Sequence, residues 1–191
     1  LNAKLIKTEL LSVVKQNRAS LSKDRNSGLS RGVKNNLIIK EVNDFDDFWN
    51  LLLIPNLKLK HNVTPVHSIK EISLLKNKFN NNIRQFNVYH ENDLIAGATI
   101  FETKTTAHVQ YISSNNTKNE LGSLDFLFNY LIKNTFSDKL FFDFGNSNEE
   151  NGQKLNKGLL YWKEGFGAKS ISQDFYKIET LNFNNLDNLF V

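Results

Sequence analysis

Alternating apolar and polar positions in the middle of the chain predict three closely spaced strands, at residues 83–90, 94–102 and 106–113. Two short polar segments, Glu91-Asn92-Asp93 and Lys104-Thr105, separate these strands and suit tight hairpins. The pattern therefore predicts an antiparallel meander.

Helices are predicted before the meander. Apolar residues recur at helical spacing from Phe45 to Leu53, and Pro55 is expected to disturb that helix. Ser68 and Glu71 have the spacing of a capping box, which predicts a second helix of about ten residues.

The beginning of the chain is predicted to be helical as well. An amphipathic helix over residues 1–21 is indicated by apolar residues at Leu5, Ile6, Leu10, Val13, Val14 and Leu21. The segment from Ser22 to Gly32 is expected to end it, and a strand follows at residues 37–42. The predicted organisation is a helical remnant of an adjoining N-terminal lobe at residues 1–35, a main domain at residues 36–180, and a C-terminal tail at residues 181–191.

After the meander the pattern predicts helix, strand, helix and strand. A helix over residues 120–135 precedes a buried strand at residues 140–144, in which Asp143 is the single charge. A polar loop then leads to a helix that begins near Leu155, and a last strand is predicted at residues 170–179.

Composition narrows the chemistry. The 191 residues contain no Cys, which excludes disulfides, thiolate metal sites and a cysteine nucleophile. The four His residues show no metal-ligand spacing, so no metal site is predicted. Because no apolar run is long enough for a transmembrane helix, the chain is predicted to be a cytoplasmic globular protein.

Positive charge is concentrated at the beginning of the chain. Residues 1–34 hold eight Lys and Arg against two acidic residues, a net charge of +6, whereas the whole chain carries +4. Such an arm could meet RNA, a nucleotide-linked substrate or a membrane surface, or it could be an ordinary solvated face. An RNA-binding module is therefore one alternative for the function.

Several short motifs resemble those of the GNAT superfamily of acyltransferases. The segment Tyr161-Trp162-Lys163-Glu164-Gly165-Phe166 is similar to the Tyr-x-Lys-x-Gly-Phe ending of the penultimate helix in that superfamily. Lys163 followed by Gly165-Phe166-Gly167, after a Phe-Asp-Phe-Gly strand, resembles the FemAB-like and polysaccharide-biosynthesis branch. The segments 25–33 and 65–68 also resemble stretches of these relatives. The resemblance implies a GNAT-like α/β (α+β) fold, with a mixed, mostly antiparallel sheet flanked by helices.

The resemblance also implies an activity. Relatives of this kind move an acyl or aminoacyl group from acetyl-CoA, another acyl-CoA or an aminoacyl-tRNA to an amine on a sugar or a bacterial cell-wall or polysaccharide precursor. Direct attack by the amine is expected, because the chain has no cysteine and no recognisable Ser–His pairing. The alternative is a catalytically silent lobe that binds a glycan precursor or a partner protein.

Three residues are the catalytic candidates: Tyr161, Asp143 and His108. By resemblance, Tyr161 would protonate the leaving group, and Lys163 would neutralise charge on the donor or acceptor. Asp143 would bind the acceptor ammonium or orient the following loop, since a lone buried carboxylate needs hydrogen-bond partners. Each of these residues could instead have a structural role.

The donor and substrate are expected along the end of the third meander strand and in two loops. The predicted binding residues are Gln110, Tyr111, Ser113, Ser114, Asn115, Gly122, Ser123, Gly145, Ser147, Glu149 and Lys163. His108 and Gln110 are expected on one face of the strand, with Tyr111 and Ser113 on the other. The segment from Lys118 to Ser123 has one glycine where the acetyl-CoA phosphate loop of the superfamily has two small residues, so the identity of the donor stays open.

Overall fold

The computed structural model describes residues 3–181 and Phe183. The strands are β1 (Lys4–Lys15), β2 (Ile38–Val42), β3 (Ile83–His90), β4 (Asp93–Glu102), β5 (Thr106–Ser114), β6 (Phe141–Asn146), β7 (Asn148–Glu149), β8 (Lys154–Leu155) and β9 (Lys169–Lys177). The α-helices are α1 (Lys23–Lys34), α2 (Ile54–His61), α3 (Ile69–Lys78), α4 (Lys118–Leu121), α5 (Ser123–Tyr130) and α6 (Lys157–Glu164). The tail predicted at residues 181–191 lies outside the described residues, apart from Leu181 and Phe183.

Within the described part of the chain, seven strands form one sheet in the order β2-β3-β4-β5-β6-β1-β9. Strands β5 and β6 are parallel, and the other neighbours are antiparallel. Strands β7 and β8 form a small ribbon in the loop after β6. The predicted fold class is confirmed: a mixed, mostly antiparallel sheet flanked by helices.

The meander and the capping box are also confirmed. Strands β3, β4 and β5 pair antiparallel in sequence. At the start of α3 the Ser68 side chain accepts a hydrogen bond from the Glu71 N–H, and the Glu71 carboxylate accepts one from the Ser68 N–H at 2.8 Å. These local signals predict structure well because the hydrogen bonds that define them are themselves local.

The amphipathic helix predicted for residues 1–21 is wrong. Residues Lys4–Lys15 of this segment form strand β1, which lies between β6 and β9 and pairs with both. Its register shifts between Leu5 and Lys7 and again between Leu11 and Val13. Such irregularities break the two-residue alternation of a strand, so the apolar residues fall at intervals that resemble those of a helix.

The first helix of the chain is instead α1, in a segment predicted to be irregular. Its glycines, Gly28 and Gly32, and its serines have low helix propensity. Ser22 caps its first turn by accepting a hydrogen bond from the Arg25 N–H. Tertiary packing overrides the propensity, because both glycines are buried where α1 packs against α5.

Pro55 disturbs the helix before it, as predicted, but does not end it. A π-helical turn over residues 48–53 continues directly into α2, and Pro55 lies in the first turn of α2. Proline has no N–H to donate to the preceding turn, and the regular α-helical hydrogen bonding is replaced there by the π-helical turn. The helix therefore continues to His61.

Two apolar cores cover the faces of the sheet. One contains the aromatic residues Phe128, Phe142, Phe144 and Phe166, packed with α5 and the end of α6. The other is built from Phe45, Phe48, Trp49, Leu52, Leu53, Ile72, Ile83 and Tyr111. The division of the chain at residue 35 stays a prediction, and β1 and β2 lie in the same sheet.

Candidate functional site

The parallel strands β5 and β6 separate soon after they meet. They pair at Thr106–Phe141, Ala107–Phe142 and His108–Asp143, and no later pair joins them among the described residues. β5 nevertheless continues to Ser114 and β6 to Asn146. We call the point of separation, at His108 and Asp143, the fork. Beyond the fork, backbone groups of β5 that face β6 lack a strand partner.

An irregularity in β5 decides which side chains share a face. Thr99 of β4 pairs with Tyr111 and Ile100 pairs with Val109, so Gln110 is an extra residue in the ladder. Val109 belongs to the core on one face and Tyr111 to the core on the other. The predicted alternation is therefore corrected: Tyr111 lies on the face of His108 and its cross-strand partner Phe101.

A histidine–aspartate pair occupies the fork. His108 Nδ1 lies 2.8 Å from Asp143 Oδ2, and the Gly145 N–H donates to Asp143 Oδ1 at 2.8 Å. Burial raises the pKa of Asp143, but the bonds from His108 and Gly145 outweigh it and leave this pKa below its ordinary value. The ionised carboxylate can only accept, so the His108 Nδ1–H donates to it and Nε2 is the ring nitrogen left for a ligand. The His108 side chain is 36% exposed, which leaves it accessible to a ligand.

Lys163 closes the end of β6 from the other side. It is 4% exposed, and its Nζ donates to the carbonyl oxygens of Gly145 and Asn146. Burial lowers the pKa of Lys163 to about 8, although the carboxylate of Asp143 opposes that shift. Lys163 therefore stabilises the backbone turn at Gly145. The N–H of Gly145 in turn orients the Asp143 carboxylate.

The burial of Lys163 makes stability depend on pH in a defined direction. The unfolded chain keeps the lysine proton up to about 10.5, whereas the folded chain releases it near pH 8. Between these values the unfolded state binds more protons, so stability rises with pH. Lys163→Met should abolish this contribution, which amounts to about 2 kcal/mol between pH ~7 and pH ~9.5. Urea denaturation of both proteins at the two pH values checks it, and parallel pH dependences would contradict it.

A cleft of about 520 Å³ lies at the ends of β5, α2 and α6. Its apolar lining includes Leu57, Ile112, Leu124, Leu159 and Trp162. Its polar lining includes Arg25, Arg31, Asn56, Lys60, His61, Ser113, Ser114, Lys118, Asn119, Asp125 and Asn156. The volume and mixed lining are those of a small-molecule site.

The predicted phosphate loop is covered by α1. A Cβ atom on Gly122 would lie 2.0 Å from the Gly28 carbonyl oxygen, and one on Gly28 would lie 1.7 Å from Asp125 Oδ2. Gly122 and Ser123 are both buried. The first turn of α5 therefore packs against α1, and contact of Gly122 and Ser123 with a donor phosphate stays a prediction that this packing does not favour.

Asp125 ties three helices together. Its Oδ1 accepts hydrogen bonds from Arg25 Nη1 of α1 at 2.6 Å and from Trp162 Nε1 of α6 at 3.0 Å. Burial raises the pKa of Asp125 above its ordinary value even though Arg25 opposes the shift. The sequence analysis missed this residue, although it is a lone charge in an apolar helix, the same signal that identified Asp143.

Tyr161 does not join the histidine–aspartate pair. None of Tyr161, His108 and Asp143 is part of the cleft lining. The Tyr161 side chain is 60% exposed on α6 and donates a hydrogen bond to Asp24 Oδ2 at 2.7 Å. That bond raises the pKa of the phenol. The structure thus separates Tyr161 from the two other catalytic candidates.

The remaining predicted binding residues divide between cleft and scaffold. Ser113 and Ser114 line the cleft, where Asn56 Nδ2 donates to Ser113 Oγ and to the Ser114 carbonyl oxygen, both at 2.8 Å. Tyr111 is buried, and its hydroxyl oxygen lies 2.6 Å from His67 Nδ1. Gln110 is half-buried.

Three predicted residues stabilise loops. Asn115 accepts from the Thr117 N–H at 3.0 Å. Ser147 is buried beside Ser12, with 3.4 Å between their hydroxyl oxygens. Glu149 accepts from Asn156 Nδ2 at 2.7 Å, at the beginning of α6.

Other lining residues were missed by the sequence analysis, among them Asn56, Lys60, His61 and Asn156. Asn56, Lys60 and His61 come from α2, Asn156 caps α6, and none of them belongs to a motif of its own. Only the fold brings them together.

Comparisons with known proteins identify the fold. No family model matches the chain, and no curated protein does. The crystal structure of FemX matches 96% of this chain and 65% of its own length, with a TM-score of 0.68 and 10% identity. The C-terminal domain of a protein from Agrobacterium fabrum, assigned as a lysylphosphatidylglycerol synthetase, matches 98% of this chain and 65% of its own length, with a TM-score of 0.66 and 15% identity.

An aminoglycoside acetyltransferase from an uncultured soil metagenomic sample, solved with sisomicin, matches 77% of this chain and 99% of its own length, with a TM-score of 0.51 and 16% identity. The chain therefore has a GNAT-like fold of the FemAB type, as the motif resemblance implied. It spans 65% of the length of FemX and of the Agrobacterium domain. Among the described residues, no helix is long and apolar enough to cross a membrane.

Proposed function

We propose that this protein transfers an acyl or aminoacyl group to an amine, and that His108 accepts the proton of that amine. The observation that carries the proposal is the His108–Asp143 pair at the fork between two parallel strands. The nitrogen of a neutral amine must lose a proton as it bonds to the donor carbonyl carbon, and a positioned imidazole backed by a carboxylate is a suitable base for that proton. Asp143 would stabilise the imidazolium that forms.

The fork also supplies groups for the rest of the reaction. Unpaired backbone N–H groups of β5 beyond His108 could stabilise the oxyanion that develops on the donor carbonyl. The amine nitrogen forms a bond to the carbonyl carbon, and the bond to the leaving oxygen or sulfur breaks. The proton held by His108 is then available to the leaving group. No covalent enzyme intermediate is needed.

The two donors suggested by the motif resemblance are not equally supported. The superfamily's phosphate cradle for acetyl-CoA corresponds to the first turn of α5, which α1 covers here. This favours an aminoacyl-tRNA donor, as does the similarity in fold to a domain assigned to lysylphosphatidylglycerol synthesis. The acceptor we propose is an amine on a sugar or on a cell-wall precursor.

A direct assay of both donors tests the proposal. The purified chain is incubated with tRNA charged with radiolabelled amino acids, or with labelled acetyl-CoA, and with aminoglycosides or a muramyl-peptide precursor as acceptors. We expect the unaltered protein to transfer label from the aminoacyl-tRNA to the amine. We expect no such transfer when the His108→Asn variant is used in its place. Absence of transfer from both donors to every acceptor would contradict the proposal.

A catalytically silent lobe is the second candidate. The covered phosphate loop and the surface position of Tyr161 favour it. A silent lobe would bind a glycan precursor, measurable by calorimetry, without transferring label from either donor. Binding that survives His108→Asn, together with no turnover, would support this candidate.

A further inference from the structure

The helix formed by the π-helical turn and α2 is apolar on two sides. Six of the nine residues from Leu51 to Leu59 are Leu or Ile. The inner side of this helix packs against the sheet through Leu52, Leu53 and Leu57, whereas Leu51 and Leu59 are exposed. A helix that is apolar all round is normally covered on every side. The outer side of this helix therefore lacks the cover to which its sequence is suited.

The apolar exposure continues through the following loop into α3. Val66 and Leu59 are 83% and 82% exposed, and Val63, between them in the chain, is exposed as well. In α3, Ile72 belongs to the core and Leu74 is exposed. Because both helices pack their inner sides against the same core, their outer sides lie on the same side of the sheet. We call the exposed residues of this surface the outer helical face: Leu51, Lys58, Leu59, Val63, Val66, Lys70, Leu74 and Lys78.

Lysines border the apolar side chains of the outer helical face. Lys70, Leu74 and Lys78 are exposed on α3 at intervals of four residues, so Leu74 lies between two ammonium groups. Lys58 precedes Leu59 in α2. Within the described part of the chain, none of these three lysines forms an ion pair. A lysine can lay its methylene groups along an apolar surface while its charge reaches a polar layer.

The positive charge of this region is not balanced within it. Residues 50–79 hold five Lys against a single acid, Glu71, which gives a net charge of +4. The carboxylate of Glu71 accepts hydrogen bonds from Ser68 in the capping box. The nearest acid on the preceding helix, Asp47, lies about three turns before Lys58. The outer helical face is therefore complementary to a partner that is both apolar and negatively charged.

We propose that the outer helical face binds the surface of a membrane that contains anionic lipids. Its leucine and valine side chains enter the boundary between headgroups and acyl chains, and its lysines lie at the level of the lipid phosphates. A single-stranded nucleic acid is a poorer match, because its bases stack on exposed aromatic side chains and on arginine, and the face has neither. This binding is independent of the proposed transfer reaction.

Co-sedimentation with lipid vesicles tests the proposal. The purified chain is mixed with vesicles of equal parts phosphatidylglycerol and phosphatidylcholine, or with vesicles of phosphatidylcholine alone. We expect stronger binding to the anionic vesicles, because each lysine near an anionic surface strengthens binding about fivefold. Added salt should weaken that binding, since it screens the lysine charges from the lipid phosphates.

One pair of variants tests the apolar side chains. Leu59→Ser with Val66→Ser removes the two most exposed apolar side chains of the face. Val33→Ser with Leu140→Ser makes the same exchange at exposed positions on α1 and just before β6, and serves as the control. All four positions are exposed, so we expect both variants to fold. The test variant should bind anionic vesicles at least about tenfold more weakly than its control.

A second pair of variants tests the charges. The test variant replaces the three lysines of the face and is Lys58→Gln with Lys70→Gln and Lys78→Gln. The control removes the same charge from three exposed lysines of β1 and β9, at the β9 edge of the sheet, and is Lys4→Gln with Lys15→Gln and Lys169→Gln. We again expect at least about tenfold weaker binding of the test variant to anionic vesicles.

Three outcomes would overturn the proposal. The first is that the unaltered chain does not bind anionic vesicles, whether or not the lysine variant weakens binding to tRNA. The second is that either test variant binds these vesicles as strongly as its control, because adsorption by charge alone needs no apolar face. The third is that the unaltered chain elutes as a dimer in gel filtration, and that Leu59→Ser with Val66→Ser elutes as a monomer without a change in vesicle binding. A second copy of the chain would then cover the face.

Discussion

His108→Asn is expected to lower kcat/KM for transfer by about 10²–10⁴-fold, the usual contribution of a general base. The asparagine amide can occupy the position of Nδ1 and keep a hydrogen bond to Asp143, which lies 2.8 Å from Nδ1 in the structure. It has nothing at the position of Nε2, so no group remains to accept the proton. Steady-state kinetics with the donor found active in the transfer assay measures the effect.

Two controls distinguish the loss of a catalytic group from a loss of folding stability in this experiment. Urea denaturation should show His108→Asn close to the unaltered chain, because the side chain is partly exposed and its bond to Asp143 has a substitute. Tyr161→Phe removes the hydrogen bond to Asp24 at the surface and should change kcat/KM less than about threefold. If kcat/KM fell strongly in Tyr161→Phe and little in His108→Asn, the tyrosine and not the histidine would be the catalytic residue.

Gly122→Ala is expected to destabilise the protein by about 3 kcal/mol. The residue has φ +72°, which costs an alanine about 1 kcal/mol or more. Its new Cβ would also lie 2.0 Å from the Gly28 carbonyl oxygen, so α1 must move away from α5 at a cost of about 1–3 kcal/mol. Urea denaturation gives the change in the free energy of unfolding.

Gly158→Ala is the matched control for this substitution. Gly158 lies in the first turn of α6, is exposed, and would bring its Cβ within 3.6 Å of a single side-chain oxygen, that of Asn156. Alanine should be neutral or stabilising there by up to about 1 kcal/mol, since it restricts the unfolded chain. Equal stability of Gly122→Ala and the unaltered chain would mean that α1 is not seated on the first turn of α5.

Which parts of the fold were predictable depends on how local their causes are. The strands of the meander were predicted within a residue or so, because alternation and hairpin residues are short-range signals. Asp143 was identified as a site candidate because a lone charge in a buried strand requires partners. His108 and Asp143 were both named from the sequence, and the parallel register of β5 and β6 makes them a pair.

The errors lie where distant segments decide the structure. Strand β1 gains its hydrogen bonds from β6 and β9, more than 100 residues away, and its register shifts disguise it as a helix. Helix α1 exists because Gly28 and Gly32 allow close contact with α5, although the same glycines weaken an isolated helix. Local sequence signals therefore predict the wrong secondary structure for both segments.

The sequence by itself determined the fold class, the order of most elements after residue 36, and two of the residues at the fork. These features depend on periodicity, capping residues and lone charges in apolar segments, which can be recognised from residues that are close in the chain. The tertiary structure decided the rest. In the structure, Tyr161 lies at the surface and bonds to Asp24, and α1 packs against the first turn of α5. Arg31, Lys60, His61 and Lys118 line one cleft. Each of these depends on which faces of separate helices meet, and that is fixed only when the whole core packs.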